Sequence, residues 1–169
     1  MKKHKILFSF LALLTLLVVI VGNYSCERDD ICPPGTPTTP LLIIKFFDNI
    51  TRIDPKAPEN LSIKAVDVEE LFVSEFNQDS IGIPLKTNVL ITEFEFTIEQ
   101  EETTNTDTLS FEYTPVEEYV NSACGFRVTF EGLTNSLVAE DGGTNWIKEI
   151  VIQEPNVTDE TITHIYIYH

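Results

Sequence analysis

From Leu41 onward the apolar and polar residues alternate or run in short blocks of strand length. Leu90 to Ile98 is the clearest case. Leu90, Thr92, Phe94, Phe96 and Ile98 fall on one face, and Glu93, Glu95 and Thr97 on the other. Period-two alternation of this kind predicts a strand with one wet face. Leu41 to Phe47 is continuous apart from Lys45 and predicts a strand covered on both sides. Leu61–Val68 and Leu71–Phe76 are shorter candidates, with a helical turn near Glu69-Glu70 as the alternative there. Ile81–Leu85 contains Gly82 and Pro84, which assigns it to a sheet edge.

Later in the chain, Thr108 to Tyr113 places Leu109, Phe111 and Tyr113 inward, after a polar loop from Glu99 to Asp107. Cys124, Phe126, Val128 and Phe130 alternate with Gly125, Arg127, Thr129 and Glu131. Asp141-Gly142-Gly143 predicts a turn. Trp146, Ile150 and Ile152 share a face after it, and Ile162 to Tyr168 supplies a last strand. About nine strands at spacings near ten residues predict an all-β antiparallel sandwich, immunoglobulin-like or related. Phe94, Phe111, Phe126, Phe130 and Trp146 are expected to line its core.

Upstream the pattern changes twice. Glu27 to Pro40 carries Pro33, Pro34, Pro37, Pro40 and Gly35 and predicts a semi-extended tether. Before it, Lys2, Lys3 and Lys5 precede an apolar run from Ile6 to Val21, and Ser25 stands before Cys26. This order describes an export signal ending at a lipidated cysteine. An uncleaved membrane anchor is the alternative, and Asn23 stands where an aliphatic residue is usual. The expected divisions are a leader at 1–25, a lipid-anchored tether at 26–40 and the sandwich at 41–169.

Of 11 basic and 27 acidic residues, three lysines belong to the leader, so 8 against 27 remain, a formal net charge of −19. Such a surface repels nucleic-acid phosphates and anionic headgroups, and no nucleic-acid partner is expected. Lipidation of Cys26 would leave Cys32 and Cys124 as a pair in an oxidising compartment.

Catalytic patterns are sparse. His164 and His169 are the histidines beyond the leader, and His164 is expected as a solvated strand residue. No nucleophile elbow, zinc or phosphate-loop motif occurs, so no enzyme, cofactor or metal site is expected. Glu93 and Glu95 share a face, but solvated charge accounts for them without glycosidase chemistry. Two acidic clusters carry a calcium alternative: Glu99, Glu101, Glu102 and Asp107, and Glu140, Asp141 and Asn145. Asp79-Ser80-Ile81 and Asp107-Thr108-Leu109 fit a short O-glycosylation pattern at Ser80 and Thr108.

Cys26-Glu27-Arg28-Asp29-Asp30 resembles the start of a Bacteroidetes lipoprotein, with a basic residue and two acids like a surface-export tag. Asp30-Ile31-Cys32-Pro33, Thr39-Pro40-Leu41-Leu42-Ile43-Ile44, Ile81-Gly82-Ile83-Pro84-Leu85 and Ala123-Cys124-Gly125-Phe126 resemble an uncharacterised flavobacterial lipoprotein family. The resemblance implies an outer-membrane location, surface or periplasmic, and a Cys32–Cys124 disulfide. It implies no activity. The expectation is a non-enzymatic accessory or protein-interaction module, anchored by lipid, with an outer-membrane β-barrel protein as candidate partner. A glycan- or peptide-binding sandwich, calcium-assisted, is the alternative, with Trp146 and the terminal tyrosines as its candidate aromatics.

Overall fold

A computed structural model describes residues 14–15, 31–100, 103–138 and 144–169. Nine strands run in chain order: β1 Leu42–Phe47, β2 Leu61–Ala65, β3 Val73–Phe76, β4 Ser80–Ile83, β5 Ile91–Gln100, β6 Thr103–Asn121, β7 Gly125–Leu137, β8 Glu149–Ile152 and β9 Ile165–Tyr168. They form two sheets, ordered β4-β1-β9-β8 and β3-β2-β5-β6-β7. The all-β sandwich-like architecture is the one the alternation predicts. One pairing departs from a purely antiparallel arrangement, because β1 and β9 run parallel, Ile44 opposite Ile165.

Each sheet turns one apolar face inward. Leu42, Ile44 and Phe46 of β1 meet Phe94, Phe96 and Ile98 of β5 across the core, all buried. Thr92 shares the inward face of β5, while Glu95 on the outer face pairs with Lys64 of β2 at 3.1 Å. β4 lies at a sheet edge, as Gly82 and Pro84 predict. The glycine has a packing reason too. Gly82 pairs with Ile43, and a Cβ there would lie 3.0 Å from the Leu41 side chain.

The long strand β6 explains three differences from the sequence expectation. First, β5 and β6 continue to Gln100 and Thr103, so the polar stretch after Ile98 is mostly hairpin, with residues 101–102 outside the described set. Asp107 is therefore inside the sandwich and fully buried. Its carboxylate accepts hydrogen bonds from the Ile147 N–H at 2.8 Å and the Asn145 amide at 3.0 Å. Second, β6 outruns β5 after Glu112 and pairs only with β7 as far as Asn121. Pro115 is tolerated there because that stretch has a strand on one side only. Third, this two-stranded ribbon passes the end of the opposing sheet. Phe126, expected in the core, is 66% exposed, whereas Phe130 on the same face is fully buried.

Other expectations resolve similarly. Phe94, Phe111 and Trp146 are core residues. Leu90 is exposed, just before the start of β5. Residues 66–72 link β2 to β3 without a helical turn. The Asp141-Gly142-Gly143 turn lies outside the described residues.

Candidate functional site

One end of the sandwich gathers the chain's unusual features. β2 ends there, β5 and β9 begin there, β4 delivers the chain to Lys86, and the tether enters β1 there. The antiparallel β5–β6 pairing puts the root of the ribbon at the same end, where the Tyr113 N–H bonds the Leu90 carbonyl at 2.9 Å.

Between the β2–β3 and β4–β5 connections lies a groove of about 480 Å³. Ala65, Val68, Leu71, Phe72, Pro84 and Phe94 give it apolar walls, and Lys86, Thr92 and Glu70 supply the polar groups. Volume and lining both suit a ligand site. Leu71 and Phe72 in the groove wall are exposed, and Val66 and Ile91, also exposed, line a smaller hollow that shares Lys86 with it. Scattered exposed apolar residues need no explanation, but exposed apolar side chains in the wall of an apolar groove mark an interaction surface.

The floor of the groove is fixed by hydrogen bonds. The Lys86 N–H donates to Thr92 Oγ1 at 3.1 Å, and the Tyr113 hydroxyl donates to the Lys86 carbonyl at 2.8 Å. The Thr92 hydroxyl is thereby left to donate to the Tyr113 oxygen, with which it is in contact. Burial pushes the Tyr113 phenol above its ordinary pKa, so it remains a donor. The Lys86 ammonium lies 2.6 Å from the Asp67 carboxylate. Glu69, Glu70 and Glu93 stand exposed nearby, so the apolar wall has an acidic fringe.

A second concavity, about 640 Å³, lies between tether residues Gly35–Thr38 and the 158–161 loop. Its basic group, Arg127, is already held by Glu118 at 2.6 Å.

The tether is stapled to the ribbon tip. Cys32 and Cys124 form a disulfide with Cα atoms 4.8 Å apart. Asn121 shapes the turn by accepting from the Ala123 and Cys124 N–H groups, at 2.9 and 2.8 Å, and Gly125 follows with φ +73°. The bond is not buried beside core aromatics, because Cys32 is exposed and Cys124 half-buried on a ribbon with no facing sheet. Farther along, the Val128 N–H donates to Thr39 Oγ1 at 2.9 Å, and Pro40 is buried.

The remaining sequence candidates are dispersed. Cys26 lies outside the described residues, as do Glu101, Glu102, Glu140 and Asp141 of the acidic clusters. Among the described residues no group of three His, Cys, Asp or Glu is placed to hold a metal. Asp107 and Asn145 do meet, but as a hydrogen-bonded pair that orders the segment before β8. Ser80 begins β4, and Thr108 sits mid-strand in β6, both half-buried. Trp146 and Tyr168 are core residues, and the Trp146 indole N–H bonds the Phe96 carbonyl at 3.0 Å. Those two rings are closed to a sugar; Tyr166, the other terminal tyrosine, is half-buried and packs on Phe47 at 4.8 Å.

His164 is not solvated. It is fully buried, and its Nδ1 accepts from the Ile43 N–H at 3.0 Å while its backbone N–H donates to the Ile43 carbonyl at 2.9 Å. Burial lowers its pKa. Sequence reasoning missed the groove itself, since Val66, Val68 and Leu71 read as strand residues. The excess of apolar side chains between Ala65 and Val73 was the available signal.

A profile of unknown-function family DUF6452 matches residues 60–169. The chain belongs to the DUF6452 family. The match begins after β1, although β1 sits between β4 and β9 in the first sheet. It spans the groove, the ribbon and Cys124, while Cys32 precedes it. No curated protein and no solved structure matches the chain.

Proposed function

We propose that this DUF6452 protein is a non-enzymatic, lipid-anchored component of a bacterial outer membrane that binds a partner protein through the groove. The observation carrying the reading is the exposed apolar wall at Leu71 and Phe72, set at the end where the tether enters. The acidic fringe of Asp67, Glu69, Glu70 and Glu93 selects the occupant: an extended apolar segment flanked by lysine or arginine. An envelope β-barrel protein with such an exposed segment is the partner class. The order of Lys2, Lys3, Lys5, the apolar run and Cys26 supports the anchor.

The groove is tested by titrating the protein with an extended leucine–valine peptide carrying two lysines at each end. Resonances of Phe72 and Phe94 should shift, and a Leu71→Ser, Phe72→Ser double variant should bind at least about tenfold more weakly, as expected for losing two buried apolar contacts. Equal binding by the double variant, or no shifts in the parent, would overturn the assignment.

A further inference from the structure

The disulfide changes the length of the leash. Without it, the first tether residues fixed to the domain are Thr39 and Pro40, at most about 50 Å of extended chain from Cys26. With it, the first fixed residue is Cys32, and the six residues from Cys26 reach at most about 20 Å. The ribbon tip is then confined to the immediate neighbourhood of whatever holds Cys26.

That tip is apolar on one face. Tyr119 and Phe126 are cross-strand partners with ring centroids 5.3 Å apart, and they are 59% and 66% exposed. Ile31, next to the disulfide, is 80% exposed. The other face of the ribbon is occupied: Arg127 is held by Glu118, and it donates to the Thr158 carbonyl at 3.4 Å. An exposed aromatic pair beside an anchored cysteine has the chemistry of an interfacial belt, in which aromatic rings lie at headgroup level. Glu117 is exposed on the same face of the ribbon, and the sequence between Cys26 and Ile31 has three acids, Glu27, Asp29 and Asp30, against Arg28; this charge balance disfavours an anionic surface and favours zwitterionic headgroups.

The geometry points to the ribbon tip, Ile31 with Tyr119 and Phe126, as a foot that rests in the headgroup region of the membrane and fixes how the domain stands on it. This rests on the lipid anchor at Cys26. The foot sets the orientation of the domain, and the disulfide sets its height.

The test uses the full chain expressed with its leader and extracted from membranes, in a Phe126→Trp variant. Intact mass first reports lipid on Cys26. The protein is then reconstituted into phosphatidylcholine vesicles with brominated acyl chains. The indole at position 126 should shift to the blue and be quenched, while the parent, whose Trp146 is buried, should change little. Adding Cys124→Ser should remove most of the quenching without removing the lipid. Tyr119→Trp provides the same reading if Phe126→Trp does not fold. Lipid on Cys26 with an unquenched indole in both variants overturns the foot alone and indicates that another protein or solvent covers the tip. Absence of lipid on Cys26 overturns the anchor, and the foot with it.

Discussion

Phe94 and Glu95 are neighbours in β5 with opposite environments, so truncating each to alanine separates the two faces of the sheet. Phe94 is 3% exposed, packs edge-on to Phe96 at 6.5 Å and tilts against Phe111 at 6.4 Å. Phe→Ala at such a site costs about 3–5 kcal/mol, as transfer energy plus the cavity left behind. Phe94 also borders the groove, through which water reaches part of the new space, so the lower figure is expected. Glu95 makes a half-exposed pair with Lys64 at 3.1 Å, and its loss should cost under about 1 kcal/mol. For a domain of this size, 1 kcal/mol moves Tm by about 3–5 °C. Calorimetry should therefore find Phe94→Ala lower by roughly 10 °C and Glu95→Ala within a few degrees of the parent. Equal shifts would refute the assignment of faces, and with it the sandwich.

Replacing Cys124 by serine opens a loop of 92 residues and should lower stability by up to about 4–5 kcal/mol in denaturant titrations; an unchanged midpoint would mean that the unfolded chain gains nothing from its release. Asp107→Ala leaves the buried Ile147 N–H unpaired and should cost about 2–4 kcal/mol, with Asp107→Asn milder because its carbonyl still accepts. Burial holds the pKa of His164 and His169 below the ordinary histidine value, so the unfolded chain takes up the proton first. Stability should be complete above about pH 6.5 and fall as pH drops below it, with a shallower fall in His164→Gln. Asp48 and Asp67, whose pKa values are lowered by hydrogen bonds, act only below about pH 4 and leave that window clear.

The alternation was a good guide to faces and a poor guide to depth. Phe126, Val128 and Phe130 do share a face, yet burial runs from full at Phe130 to little at Phe126. Periodicity reports which way a side chain points, and only the opposing sheet decides whether anything lies there. Asp107 shows the converse. It has the same parity as Leu109, Phe111 and Tyr113, so the pattern already put it inward, and its charge disguised it as a loop residue. The parallel β1–β9 pair joins the first and last strands of the chain, which no local pattern can specify. The groove was hidden because Val66, Val68 and Leu71 satisfy strand propensity, while the strands stop at Ala65 and resume at Val73. The Cys32–Cys124 pair, in contrast, was legible once Cys26 was set aside for lipid and the family resemblance was added, and the two sulfurs are bonded.

The proposed partner would meet the protein at the groove, at the end where residues 31–40 enter β1. Site-specific photo-crosslinking in cells tests this contact most directly, with the crosslinker placed in turn at Phe72 on the groove and at Ile53, which is exposed on the loop after β1 at the opposite end. Phe72 should capture one recurrent envelope protein, the capture should be lost when Leu71→Ser is added, and Ile53 should not give it. Capture of the same protein from both positions, or capture indifferent to Leu71→Ser, would contradict it.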